Sequence, residues 1–289
     1  MIRHLRRFVS HLTGKKKYLF FVILLLICIV ALSLGIYSQF FYKYSDTDPL
    51  MIGINIGAKK TAEEYAFLES NFNELFTNSL KVNSEEINVD KLEDEEELVY
   101  TVYNLVNQDE TYYNVDAQIP TINIDSETTR KINAEIKNEY YNKANSIMRQ
   151  TQGNTIYKVS YAGFVNSDYL SLVIKSILKE EGKSEKVSIK TYTYSMANQR
   201  LVTLEDLIEL KGTTNEIVQK SINDEIKTAY ENAQIIASEY GQLYKRDLTN
   251  KMYKIESSNV YFLTDDGYVY IVYPYGNEDY TNEMDIVIF

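Results

Sequence analysis

Residues Tyr18 to Tyr37 (YLFFVILLLICIVALSLGIY) form twenty consecutive positions without one charged side chain. At about 1.5 Å rise per residue, a helix of that length crosses about 30 Å, the hydrocarbon thickness of a bilayer. The run therefore predicts a transmembrane helix over 18–42 with its flanks. Residues 1–17 carry Arg3, Arg6, Arg7, Lys15, Lys16 and Lys17 and no acid. Lys and Arg stay on the cytoplasmic side, so the expected topology is a cytoplasmic N-terminus with residues 43–289 outside. A cleaved signal peptide is the rival reading, but its apolar region is about 7–15 residues long and ends on a small-x-small site. Here the run is longer, and only Ala31-Leu32-Ser33 resembles such a site. The expectation is an uncleaved signal-anchor of a single-pass cell-membrane protein. Ile2, Leu5, Phe8, Val9 and Leu12 share a helical face over 1–13, which fits either a helix on inner-leaflet lipid or a plain basic flank.

The soluble part has a different character. The basic start holds six of the chain's 30 Lys and Arg, leaving 24 bases against 41 acids and a net charge of −17 outside it. That balance argues against nucleic-acid binding. It equally suits a soluble surface or the steering of a basic protein partner. The lone Cys28 lies within the apolar run, and His4 and His11 precede it. Residues 43–289 therefore contain no His and no Cys. That excludes Ser-His-Asp and Cys-His catalysis and the usual zinc sites there. No catalytic, metal-ligating or cofactor-binding residue is selected by the pattern, no cofactor is expected, and the ligand-binding residues are unknown. A two-carboxylate glycan hydrolase remains an alternative without any spacing to support it.

Along the chain, residues 43–97 read as a juxtamembrane helix and an acidic linker. Thr61 and Glu64 form a capping box for a helix to about Leu80, with Tyr65, Leu68, Phe72, Leu75 and Phe76 on one face. Residues 81–97 (KVNSEEINVDKLEDEEE) read as a solvated linker, since calcium ligation would need ordered oxygen spacings and a turn glycine. Strands follow at LVYTVYNLV and YYNVDAQIPTINI, with Pro120 marking an edge or strand end. Asp125 or Ser126 caps a helix to about Met148 that buries Ile132, Ile136, Tyr140, Ala144 and Ile147. Three strands are expected at 155–164, 169–178 and 186–195. A short helix capped by Thr203 and a longer one around Ile217 to Tyr240 come next. VYFLT and YVYIVY flank Asp265-Asp266-Gly267 as a hairpin, and MDIVIF closes the chain. The fold class is α+β: one transmembrane helix, then two small antiparallel-sheet-plus-helix domains over 98–153 and 154–289.

The stretch YYNVDAQIPTIN, with Ile132-Asn133-Ala134-Glu135-Ile136 after it, resembles the N-terminal non-catalytic domain of PdaC-type peptidoglycan deacetylases. The later stretch is similar to the companion domain of the extracellular part of RsiV-type anti-sigma factors, on Thr203-Leu204-Glu205-Asp206-Leu207, Phe262 to Gly267 and Pro274-Tyr275. The resemblance spans about 98–289. It implies a non-catalytic extracellular module that binds or senses in the bacterial envelope, with lysozyme or cell-wall glycan as its partner. Two segments depart from the pattern. Lys179 to Val187 (KEEGKSEKV) stands where many relatives have a Gly-Gly-Ala-His loop, and GNEDYTNEMD follows Tyr275. Seventeen residues before the span are too few to fold around a sigma factor, so an anti-sigma relative lacking that domain is an alternative. A metal-dependent deacetylase needs histidines that residues 43–289 lack. Tyr192 and Tyr194, and Tyr268, Tyr270, Tyr273 and Tyr275, form period-two stripes that fit either exposed binding faces or sheet packing.

Overall fold

The computed structural model describes residues 69–83, 87–240 and 243–289, with the backbone alone over 236–240. The basic segment 1–17, the apolar span and the Thr61–Glu64 capping box lie outside those residues. Among the described residues, no helix is long and apolar enough to cross a membrane.

Helical backbone over 69–74 ends before the chain turns into β1 (Leu80–Asn83), so the helix expected to reach Leu80 stops short. Phe72 nevertheless anchors this segment, being fully buried. The remaining strands of the large sheet are β2 (Val99–Asp109), β3 (Tyr113–Ile122), β4 (Thr155–Asn166), β5 (Tyr169–Glu180), β6 (Lys186–Ser195) and β7 (Arg200–Leu201). They lie in the order β2-β3-β4-β5-β6-β7, with β1 also on β4. A smaller antiparallel sheet is built from β8 (Tyr261–Leu263), β9 (Val269–Pro274) and β10 (Met284–Ile288).

The α+β class stands, but the large sheet is mixed where an antiparallel one was expected. β3 runs parallel to the first half of β4, and β1 runs parallel to its second half. Between these two partners, Asn78 fills the ladder. At φ 55° it donates its N–H to the Tyr161 carbonyl and accepts the Tyr161 N–H on Oδ1, both at 2.9 Å. Asn tolerates that left-handed backbone better than most residues, and its amide substitutes for a peptide group. β3 and β4 are parallel neighbours because a helix crosses between them, which carries the sheet continuously past residue 154.

That crossover is α1 (Glu127–Ile136), a π-helical turn at Lys137–Tyr141, and α2 (Asn142–Ile147). Ser126 is the N-cap, in a capping box with Thr129. The buried positions 132, 136, 140 and 144 recur every four residues. In a pure α-helix of 3.6 residues per turn such a spacing drifts around the axis. The wider π turn holds it on the sheet. After β7, Thr203 caps α3 (Leu204–Leu210), and α4 (Asn215–Tyr240) follows, burying Val218, Ile222 and Ile226 as expected.

Four layers result, and strand alternation assigns each side chain to its interface. On β4, Tyr157, Val159 and Tyr161 pack toward α1 and α2, while Ala162 and Phe164 pack toward the small sheet. On β9, Tyr270 and Val272 face the large sheet, while Val269, Ile271 and Tyr273 face α3 and α4. Hydroxyls of the large sheet satisfy the outer edge of β8. Thr191 Oγ1 accepts the Tyr261 N–H at 3.0 Å, and Ser171 Oγ accepts the Leu263 N–H at 3.1 Å. The β8–β9 hairpin turns at Thr264–Gly267, with the Gly267 N–H on the Thr264 carbonyl at 3.0 Å.

The acidic stretch before β2 is docked rather than free. Asn123, nearly fully buried, accepts the Glu93 N–H at 2.8 Å and donates to the Glu93, Glu95 and Glu97 carbonyls. Lys91 Nζ donates to the Glu95 and Glu96 carbonyls. The carboxylates stay solvated while the backbone is held down, so charge content did not report on backbone order.

Candidate functional site

Strand β6 pairs with β7 only at Tyr194 and Ser195, which leaves most of one edge without a strand partner. A loop closes it. The Val187 N–H donates to the Thr281 carbonyl at 3.0 Å. Asn277 brackets Ile189, accepting its N–H on Oδ1 at 3.2 Å and donating Nδ2 to its carbonyl at 3.3 Å. The contact is close because residue 276 is glycine. A Cβ there would stand well inside 3.0 Å of the Val187 and Thr281 backbones.

Between this loop, β5, β6 and the π turn of the helix opens a cleft of about 590 Å³. Alternation builds one wall: Ser176 and Leu178 on β5, with Lys186, Ser188 and Lys190 on β6, share the face that looks toward the helix, and Ser176 stands directly opposite Ser188. Glu139, Tyr140 and Lys143 descend from the helix, Tyr157 forms the floor, and Asn259, Asn277 and Tyr280 form the far rim.

The charges here differ in how far they are committed. Lys190 Nζ lies 2.6 Å from both Glu135 and Glu139. Burial acts to lower its pKa, but the bonds to these two carboxylates outweigh that and hold it well above the usual lysine value. Lys183 Nζ sits 2.9 Å from Glu180 Oε2, and the Tyr280 hydroxyl donates to that oxygen at 2.8 Å. Those contacts hold the Glu180 carboxyl below its ordinary range. Lys143 and Lys186, by contrast, make no ion pair among the described residues. Lys143 Nζ lies 5.2 Å from the centre of the Tyr157 ring, and Lys186 Nζ lies 5.7 Å from that of Tyr280. Lys186 also reaches the Asn277 carbonyl at 3.4 Å. Lys143 is exposed, yet protein packed around its ammonium and the nearby Lys186 charge push its pKa down against the pull of Glu180 and Glu139. Ser176, Ser188 and Asn259 have side chains that make no hydrogen bond within the described protein. The cleft therefore offers two ammonium groups outside any ion pair, three unused polar side chains and three tyrosine rings.

None of the six tyrosines read as stripes contributes an exposed face. Tyr192, Tyr194, Tyr268, Tyr270, Tyr273 and Tyr275 are all buried, so here the stripes are sheet packing. Tyr275 belongs to a buried polar network. Arg246 bonds Asp285 through two nitrogens at 2.9 and 3.1 Å, Tyr275 donates to Asp285, and Tyr253 donates to Tyr275. Among the described residues no group of three or more His, Cys, Asp or Glu is placed to hold a metal ion. The cleft residues carry one sequence signal of their own. Lys186, Ser188 and Lys190 put three polar side chains at period two on the face where Tyr192 and Tyr194 then bury, marking a half-open strand face.

The described residues thus form a four-layer α+β fold with an open, lysine-bearing cleft beside β6. No family model and no curated protein sequence matches it. A solved DUF3298 family protein from Pseudomonas aeruginosa PAO1 is a structural neighbour, with a TM-score of 0.36 at 12% identity over 63% of this chain and 84% of that one.

Proposed function

We propose that the protein is a single-pass membrane protein whose residues 43–289 form a non-catalytic binding or sensing module of the cell envelope. Residues 1–17 stay in the cytoplasm, and residues 18–42 cross the bilayer. The observation that carries the reading is the cleft, a recess of ligand-binding size with uncommitted polar groups. Its one lining carboxylate, Glu139, is bound to Lys190, which leaves no free acid–base pair for glycan hydrolysis. The resemblance to PdaC-type and RsiV-type extracellular domains adds support. The two segments that depart from that pattern, 179–187 and 276–285, meet at this cleft through Tyr280 and Glu180 and through Val187 and Thr281. Specificity particular to this chain belongs where those segments meet. Among envelope partners the cleft favours cell-wall glycan, while the acidic exterior suits a cationic protein such as lysozyme.

The test is capture by the full-length chain in detergent, with purified peptidoglycan sacculi and with lysozyme as baits at low and high salt. Saturable binding of either bait supports an envelope module. Binding of neither overturns it.

A further inference from the structure

The chain is strongly acidic, yet the cleft lining holds Lys143, Lys186 and Lys190 against the single carboxylate of Glu139. Lys190 is held between Glu135 and Glu139, and the other nearby carboxylate, Glu180, is engaged by Lys183 and Tyr280. The remaining two, Lys143 on the helix and Lys186 on β6, make no ion pair among the described residues, and Glu180 and Glu139 act on Lys143 only from beyond ion-pair distance. Two like charges that face one cleft repel each other, and an anion between them removes that repulsion. Around them stand neutral groups able to bond hydroxyls, Ser176, Ser188 and Asn259, and the apolar bodies of Tyr157 and Leu178. Hydroxyls and amides beside aromatic rings match a sugar, whose ring alternates C–H faces with hydroxyl edges.

We propose that this cleft takes an acidic saccharide, its carboxylate or phosphate held between Lys143 and Lys186 and its hydroxyls on Ser176, Ser188 and Asn259. The proposal rests on the envelope reading and narrows it to a ligand class. Carboxylate-bearing and phosphate-bearing sugars share the recognition chemistry, since either anion accepts charge-assisted hydrogen bonds from two lysines. The cleft is open at the rim, so a residue within a longer polymer can enter as readily as a free sugar.

N-acetylmuramic acid, N-acetylglucosamine 1-phosphate, neutral N-acetylglucosamine and glycerol phosphate are titrated into the full-length chain in detergent, by calorimetry and ligand-observed NMR. At least one acidic sugar binds saturably, and its advantage over the neutral sugar is about tenfold or more, the scale of one charge-assisted bond. The tighter of the two acidic sugars identifies carboxylate or phosphate as the natural anion. Lys143→Gln and Lys186→Gln each weaken that binding by about tenfold. Both variants keep the wild-type thermal midpoint, because neither lysine is in an ion pair, and Lys186→Arg retains binding. Equal binding of neutral and acidic sugars overturns the proposal, as does undiminished binding by either Gln variant. Glycerol phosphate binding as tightly as the sugars overturns the saccharide assignment. Capture of sacculi that survives both Gln substitutions overturns the cleft while leaving the envelope reading intact; loss of all capture, of sacculi and of lysozyme, by the wild type overturns the envelope reading itself.

Discussion

Replacing Gly276 by Ala tests whether the closing loop is pressed on β6 as tightly as described. The three atoms nearest the new Cβ are all backbone: the Val187 carbonyl, the Thr281 carbonyl and the Val187 nitrogen at 2.8 Å. No side chain can rotate away to make room, so the loop itself must retreat. Retreat breaks the Val187 N–H bond to Thr281 and both Asn277 bonds to Ile189. Val187 and Ile189 are buried, so two backbone N–H groups and one carbonyl lose their partners. Each orphaned group costs about 1–3 kcal/mol when dry, and less where water from the cleft reaches it. At about 1 kcal/mol for each of three groups beside an open cleft, with about 1–2 kcal/mol of overpacking strain added, the loss is about 4–5 kcal/mol. Urea unfolding of the full-length chain in detergent, followed by the near-ultraviolet dichroism of its tyrosines, gives the value. The chain has 26 Tyr and no Trp, so this signal reports on the packed layers. Gly182→Ala is the internal control. Its φ of 73° strains any L side chain, but nothing lies within 4 Å of the added Cβ. That substitution costs about 1–2 kcal/mol from backbone strain alone. If Gly276→Ala costs no more than Gly182→Ala, the close approach of loop and strand is wrong, and with it the far wall of the cleft.

Other perturbations separate packing from electrostatics. Arg246→Met leaves the buried Asp285 carboxylate without its cationic partner, since both side chains are about 5% exposed, and lowers unfolding free energy by about 3–5 kcal/mol; Asp285→Asn costs less, because Arg246 keeps Glu283 at 3.1 Å. The double replacement of both by apolar residues loses less than the sum of the two. Thr203→Ala removes the Asp206 N–H acceptor of the α3 capping box and costs about 1 kcal/mol in the same urea assay. The Arg200 guanidinium and the Thr203 N–H hold the Asp206 carboxyl well below the usual carboxylate range. Its contribution is therefore present above the unfolded-state value near 4 and is lost as pH falls below it; in Asp206→Asn that part of the acid slope disappears. At the alkaline end, burial pushes Tyr253 and Tyr270 up to about 12. Neutral tyrosine is the folded form, so their contribution is complete below the unfolded-state value near 10 and is lost as pH climbs through about 12. Absorbance at the phenolate band should show a cooperative step coincident with unfolding, and gradual titration of all tyrosines near pH ~10 would contradict the burial.

Local periodicity made the elements legible, and it was silent on their partners. The alternation of Tyr157, Val159 and Tyr161, and the paired runs around Asp265-Asp266-Gly267, located β4 and the β8–β9 hairpin because side-chain period depends only on neighbouring residues. Pairing β1 and β3 side by side on β4 depends on Asn78 and on the length of the α1–α2 crossover, and no periodicity records either. The acidic run looked detached because composition counts carboxylates, whereas its order comes from one buried amide, Asn123. The tyrosine stripes were ambiguous for a related reason. Alternation says that two faces differ, but in a four-layer fold both faces of an inner strand are covered. The better clue was the run Tyr268 to Tyr273, six residues without a polar break, which belongs to a strand buried on both sides.

The same distinction between average and local settles how an acidic chain can carry a site for an acidic ligand. A net charge of −17 over residues 18–289 sets the field at long range, and at about 0.1 M salt that field fades within about 10 Å. Inside the cleft the nearest charges decide, and there Lys143, Lys183, Lys186 and Lys190 outnumber the carboxylates of Glu135, Glu139 and Glu180. The outer field slows the approach of an anion but leaves its bonds to Lys143 and Lys186 in place, so added salt has two opposed effects on it. It raises the association rate by screening the acidic surface and weakens the bound contacts. A cationic partner shows the reverse signature, its association rate falling with salt as steering by exposed carboxylates such as Glu93 to Glu97 is screened. The sign of the salt dependence of the association rate thus tells which of the two surfaces a partner uses.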